Sequence, residues 1–154
     1  MKTLKKILLF SPLLLTTSLF ADTDASYPPN LHETVGKTSP MFSSASSEAS
    51  HWLALMDQHQ YGAAWLDSGP LFQDLITQDQ WIAAMQALRR PLGQVRTRQV
   101  TTHQATQTLP GGTQGYFMII RYNTSFSGKS SMIEILKLMM ISHEQWRVIS
   151  YTFK

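Results

Sequence analysis

Apolar residues along this chain keep two different periods, and the change falls at Gly93. Up to that point they recur every three or four positions, as one face of a helix requires; beyond it they tend to alternate, as a strand with one buried face requires. Ala45, Ala49, Trp52, Leu53 and Met56 predict an amphipathic helix over 44–59. Tyr61, Ala64 and Trp65 continue the pattern after a break near Gln60, and Gly69-Pro70 forces a turn before Leu71, Phe72 and Leu75. The most strongly marked helix follows Thr77. Thr77 and Gln80 make a capping box, in which each side chain satisfies a backbone donor left free at the helix start. Trp81, Ala84, Met85 and Leu88 then form the apolar stripe, Arg89 and Arg90 suit the negative end of the helix dipole, and Pro91 ends the helix. Two or three helices are expected before this one.

The second half predicts four strands. Residues 94–108 are rich in Val and Thr and end at Pro110-Gly111-Gly112; 115–126 alternate, with Tyr116, Met118, Ile120 and Tyr122 on one face. A turn at Ser127, Gly128 and Lys129 leads into the apolar 132–141, and Ser142-His143-Glu144 turns the chain into 145–153. Short loops between consecutive strands imply an antiparallel meander. With Ile141 opposite Trp146, the residues Glu134, Leu136, Leu138 and Met140 share a face with Arg147, Ile149, Tyr151 and Phe153, and that face is expected under the helices. Whether the Tyr116–Tyr122 set joins it depends on the count of the preceding loop, since a slip of one residue reverses every side chain. The fold class is therefore α+β, with N-terminal helices packed on one face of a four-stranded antiparallel sheet.

Residues before 44 read differently. Met1 to Lys6 holds three lysines, Ile7 to Phe20 is an apolar run with a few polar interruptions, and Ala21 is small enough for cleavage. That order of parts is a secretory signal peptide over 1–21, and the chain should be periplasmic or secreted. Residues 22–43 carry Pro28, Pro29, Pro40 and many Ser and Thr, the composition of a flexible linker; 44–154 form a single domain. Without Lys2, Lys5 and Lys6, the 13 basic residues become ten against ten acidic ones, so the net charge of +3 falls to zero. The electrostatic footprint of a nucleic-acid partner is then missing, and with no cysteine neither disulfides nor thiol chemistry are available.

A set of spaced residues narrows the reading: Trp52-Leu53, Tyr61 with Trp65, Trp81 followed by Arg90-Pro91-Leu92-Gly93, Arg98, Leu109-Pro110-Gly111, Glu134, and Trp146-Arg147-Val148 with Tyr151. In order and spacing the chain resembles a family of small exported bacterial proteins catalogued as a domain of unknown function, number four thousand and nineteen. The resemblance spans roughly residues 44–153. It implies a cystatin-like or nuclear-transport-factor-like fold and a cell-envelope or secreted location, and it assigns no activity.

Candidate chemistry is sparse. Glu134 stands in an apolar strand on the face expected to be covered; buried without a partner, its carboxyl would have a raised pKa, as general acids and bases often do. Tyr122 would lie directly opposite if the intervening loop is odd. The bland reading is that Glu134 pairs with an arginine or a tyrosine hydroxyl for structure. Arg90, Arg96 and Arg98 gather near the corner after the long helix, where they could take an anionic ligand or tie the helix end to the sheet. Met118, Met132, Met139 and Met140 with Trp146 and Tyr151 could line an apolar pocket or simply fill the core. The histidines lack the close spacing of a metal pair, no nucleophile elbow occurs, and no cofactor motif is present. The expectation is a non-enzymatic ligand- or protein-binding domain, with a homodimer through the open sheet face as one partner. The alternative is a small pocket enzyme with Glu134 as acid or base and Tyr122 as its hydrogen-bond donor.

Overall fold

The computed structural model describes residues 39–143 and 145–154. The signal peptide expected over 1–21 and residues 22–38 of the linker expected over 22–43 lie outside the described residues, while residues 40–43 of that expected linker form the first turn of a helix. Helix α1 spans Pro40–Asp57, α2 Tyr61–Leu66, α3 Pro70–Gln73 and α4 Gln78–Arg89, followed by a 3-10 turn over Arg90–Leu92. Strands β1 (Val95–Thr108), β2 (Gln114–Phe126), β3 (Met132–Ser142) and β4 (Gln145–Phe153) form one antiparallel sheet in the order β1-β2-β3-β4. The fold is thus α+β, with the helices preceding a four-stranded meander. α1 starts four residues before the spacing of its apolar face suggested, because Pro40 takes the first helical position, where its missing N–H costs nothing.

The capping box at α4 is formed as written in the sequence: the Gln80 N–H donates to the Thr77 hydroxyl at 3.3 Å, and the Thr77 N–H to the Gln80 side chain at 3.2 Å. α4 buries Trp81 and Met85, and α1 buries Ala45, Ala49, Trp52, Leu53 and Met56. Trp52, Phe72, Trp81 and Tyr151 form one aromatic cluster, with Trp81 edge-on to Phe72 at 4.8 Å and to Tyr151 at 6.4 Å between centroids. Side chains of this size contribute about 1.5–3 kcal/mol each by leaving water. These rings join α1, α3, α4 and β4. The Trp52 indole N–H donates to the Ala64 carbonyl at 2.8 Å, so the largest side chain of α1 leaves no polar atom orphaned and fixes α2 at the same time.

Three irregularities set the phase of β1. Val95 pairs with Phe126 and Arg98 with Thr124, so three steps along β1 match two along β2, and Arg96 is the extra residue. Further shifts fall between Val100 and Thr102 and between Thr106 and Thr108. The Tyr116–Tyr122 set of β2 does align with the covered face of β3, Tyr122 opposite Glu134 and Ile120 opposite Leu136, although Tyr116 itself stays exposed.

One expected face needs correction. β4 presents Trp146, Val148, Tyr151 and Phe153 to the helices, not Arg147 and Ile149, because Met140 pairs with Trp146 and a register shift lies between Val148 and Ser150. Ile149 is the extra residue. The assumed Ile141–Trp146 pairing was one position out, and the bulge then restored the phase, so the expected positions hold for Tyr151 and Phe153 only.

Candidate functional site

Polar side chains converge where the C-terminal ends of α1 and α4 meet the sheet. Asp57 is the last residue of α1, and Arg89 closes α4. Arg98 comes from β1, Thr124 from β2, Glu134 from β3 and Tyr151 from β4. Both long helices and all four strands contribute one group each. Alternation along β2 and β3 aims Thr124 and Glu134 at the covered face, and the extra residue at Arg96 lets Arg98 share it. Arg89 follows Trp81 and Met85 on the buried stripe of α4, so its position one helical turn beyond Met85 carries it under the helix instead of into solvent.

Glu134 is fully buried, yet both its oxygens are occupied. Oε1 accepts from the Tyr151 hydroxyl at 2.5 Å and from Arg89 at 3.3 Å; Oε2 accepts from Arg98 Nε at 2.7 Å and from the Thr124 hydroxyl at 2.5 Å. Arg89 also donates to the Tyr151 hydroxyl at 2.6 Å and to Asp57 at 2.6 Å. Arg98 grips Asp57 with two nitrogens, at 2.6 and 2.9 Å. Two arginines face two carboxylates, so the cluster is neutral as a whole, which is the condition for keeping charge in a core.

This arrangement decides the ionisation. Burial by itself would raise the Glu134 pKa, but the hydrogen bonds and charge of Arg98, with the hydroxyls of Thr124 and Tyr151, outweigh it and hold the carboxyl below its ordinary range. The raised value expected for an unpartnered Glu134 is therefore reversed, because partners are present on every side. Burial, and then the charge of Glu134, push the Tyr151 phenol well above its ordinary value. Arg98 is likewise held charged: burial works against it, and the hydrogen bonds it donates to Asp57 and Glu134 prevail.

Tyr122 stands beside Glu134 in the register, but its hydroxyl makes no hydrogen bond among the described residues. Burial raises its pKa to about 12. The hydroxyl that does reach Glu134 belongs to Tyr151, across the other strand neighbour. Of the remaining candidates, Arg98 and Tyr151 are drawn into the cluster, while Arg90 stays exposed on the 3-10 turn. Trp146 donates to the Ser44 hydroxyl at 3.0 Å and, with Ser44, Ser47, Glu48, Gln145 and Arg147, lines a cleft of about 280 Å³. Met118 is in the core and Met140 is packed against it, whereas Met139 is in neither group. A second cleft, of about 480 Å³, runs along Arg96 and the β2–β3 turn from Ser125 to Ser130. Neither cleft is lined by Glu134, Tyr122 or Tyr151.

The described histidines stay apart: His59 meets the Tyr61 hydroxyl at 2.7 Å, His103 stacks on Phe42 at 3.8 Å, and His51 lies 3.7 Å from Asp67. Among the described residues, no three His, Asp or Glu side chains gather as a metal would require. Sequence reasoning missed Asp57, Arg89 and Thr124. Arg89 carried a signal, since its spacing from Met85 continues the buried stripe; Asp57 and Thr124 carried none, because their partners lie 32 to 41 and ten residues away in the chain.

These features define a class of protein, a small helix-plus-meander domain whose charged groups are spent on each other inside the core. The chain belongs to the family described as protein of unknown function (DUF4019), whose family model matches residues 48–151. The whole cluster, from Asp57 to Tyr151, falls within the matched span. No curated protein matches the chain.

Proposed function

We propose that this is an exported, non-enzymatic binding domain of the bacterial cell envelope, in which the buried cluster is a structural clasp and the binding groups lie outside it. The observation that carries the reading is the coordination of Glu134. A general acid or base needs a pKa near the working pH and a proton path to substrate. Glu134 instead has four different donor side chains on its two oxygens, a lowered pKa, and no part in either cleft. The pocket-enzyme alternative would need that same carboxyl to be free. Support for export is the lysine-led apolar run before Ala21.

Partners would be a small molecule, a protein or a second copy of the chain. Ile119, Ile135 and Met139 alternate with core residues of β2 and β3, so they face away from the helices, and they supply apolar surface for self-association through that face. Native mass spectrometry of the protein recovered from the envelope fraction or medium of its own cells tests the reading. The expected result is a chain shortened near residue 21 that carries a second mass released on unfolding. A full-length, bare chain recovered from the cytoplasm would overturn it.

A further inference from the structure

We propose that the cleft between Arg96 and the β2–β3 turn is a binding site for a phosphate group. The argument starts from where the charges are spent. Arg89 and Arg98 take up Asp57 and Glu134, and Arg147 takes up Glu48 and approaches Asp67. Arg96 and Lys129 form no ion pair among the described residues, and both are exposed on the same cleft. Two uncompensated cations therefore line one concave surface. Like charges so placed repel each other, and an anion between them removes that cost.

The surface is also stocked with donors and held rigid. Ser125, Ser127 and Ser130 line it. The Ser127 hydroxyl accepts the Gln94 N–H at 3.0 Å, which orients its oxygen and leaves its own proton free to donate. The turn is pinned to the corner after α4 by Ser127 N–H to the Gln94 carbonyl at 2.7 Å and Gly128 N–H to the Leu92 carbonyl at 2.8 Å. Gly128 is required there, because a Cβ would stand 2.7 Å from the Pro91 carbonyl oxygen. Two cations and three hydroxyls outnumber the two oxygens of a carboxylate and suit the four oxygens of a phosphate group, monoester or diester. The extra residue in β1 is what turns Arg96 to this cleft while Arg98 goes to the core, so one bulge splits the arginine pair between two tasks.

The site rests on the reading of the domain as a binding module and names the chemistry it binds. That chemistry could arrive on a soluble phosphorylated molecule or on an anionic lipid headgroup. The test is ¹H–¹⁵N chemical-shift titration of the protein with inorganic phosphate, alongside sedimentation with phosphatidylglycerol vesicles and with phosphatidylcholine vesicles. Saturable shifts of the amides from Ser125 to Ser130, weakened by added salt and lost in Arg96→Ala/Lys129→Ala but kept in Lys137→Ala, are the expected result. Co-sedimentation with phosphatidylglycerol alone, lost in the same double variant, would assign the phosphate to a lipid; shifts without sedimentation would assign it to a soluble molecule. Absence of both, or their persistence in the double variant, overturns the site. A second mass retained in the native spectrum would then still leave the binding reading standing, so the two failures are separable.

Discussion

Asp57 and Glu134, carboxylates from the first helix and the third strand, are joined by the same two arginines: Arg89 and Arg98 each reach both. Removal of either acid therefore leaves two cations sharing one partner. For Glu134, which is fully buried, Glu134→Ala is expected to cost about 3–5 kcal/mol, the range for breaking a buried ion pair. Asp57 keeps 27% of its side chain in water, which can solvate part of the exposed charge, and Asp57→Ala should cost less than Glu134→Ala. Urea unfolding followed by tryptophan fluorescence gives both values, and an equal or reversed order would contradict the shared-clasp geometry.

Acid should find the same weakness. Glu134 has a folded pKa below its ordinary 4.5, so its contribution is complete above that value and is lost as pH falls through the lower folded one. Thermal midpoints measured from pH 7 to pH 2 should fall most steeply below about 4.5. In Glu134→Gln the fall should be shallower, from a lower starting point.

Tyr122→Phe separates the structural and catalytic readings of the strand pair. The Tyr122 hydroxyl is buried without a hydrogen-bond partner among the described residues, a condition that costs about 1–3 kcal/mol. Deleting it should leave the melting temperature unchanged or raise it. Loss of more than about 1 kcal/mol would mean that the hydroxyl has a partner.

Gly128→Ala tests the docking of the β2–β3 turn onto the corner after α4. Its Cβ would meet backbone oxygens of Pro91 and Leu92 at 2.7 and 3.0 Å, atoms that cannot swing aside as a side chain would. A loss of about 1–3 kcal/mol, the range for overpacking, is expected in equilibrium unfolding. Gly111→Ala is the contrast: nothing lies within 4 Å of its Cβ, and only the left-handed φ of 99° opposes it. The cost there should come from backbone strain alone, about 1 kcal/mol.

The helices and strands were legible because each depends on neighbours within a few positions. Thr77 and Gln80 announce the start of α4, and β4 runs over the very residues its alternation marked, Gln145–Phe153. Bulges were not legible. The extra residues at Arg96 and Ile149 sit within otherwise alternating runs, and only pairing with β2 and β3 reveals them. Since each bulge reverses the side chains beyond it, the predicted face of β4 was wrong at Arg147 and Ile149 and right at Tyr151. Glu134 stood out in sequence as a lone acid in an apolar strand, whereas Arg89 was read only as a charge suited to the end of the helix dipole. It is buried, and that placement needed the sheet.

From the order of residues alone come the division at Gly93 and the four-strand meander, which rest on local period, and the family, which rests on the order and spacing of particular residues. Tertiary structure alone decides what Glu134 is. Its partners come from four other segments, and a carboxylate's pKa is set by what lies within a few ångströms, however far away in the chain. The same holds for Arg96 and Arg98, two residues apart and alike in sequence, which a single bulge directs to opposite surroundings.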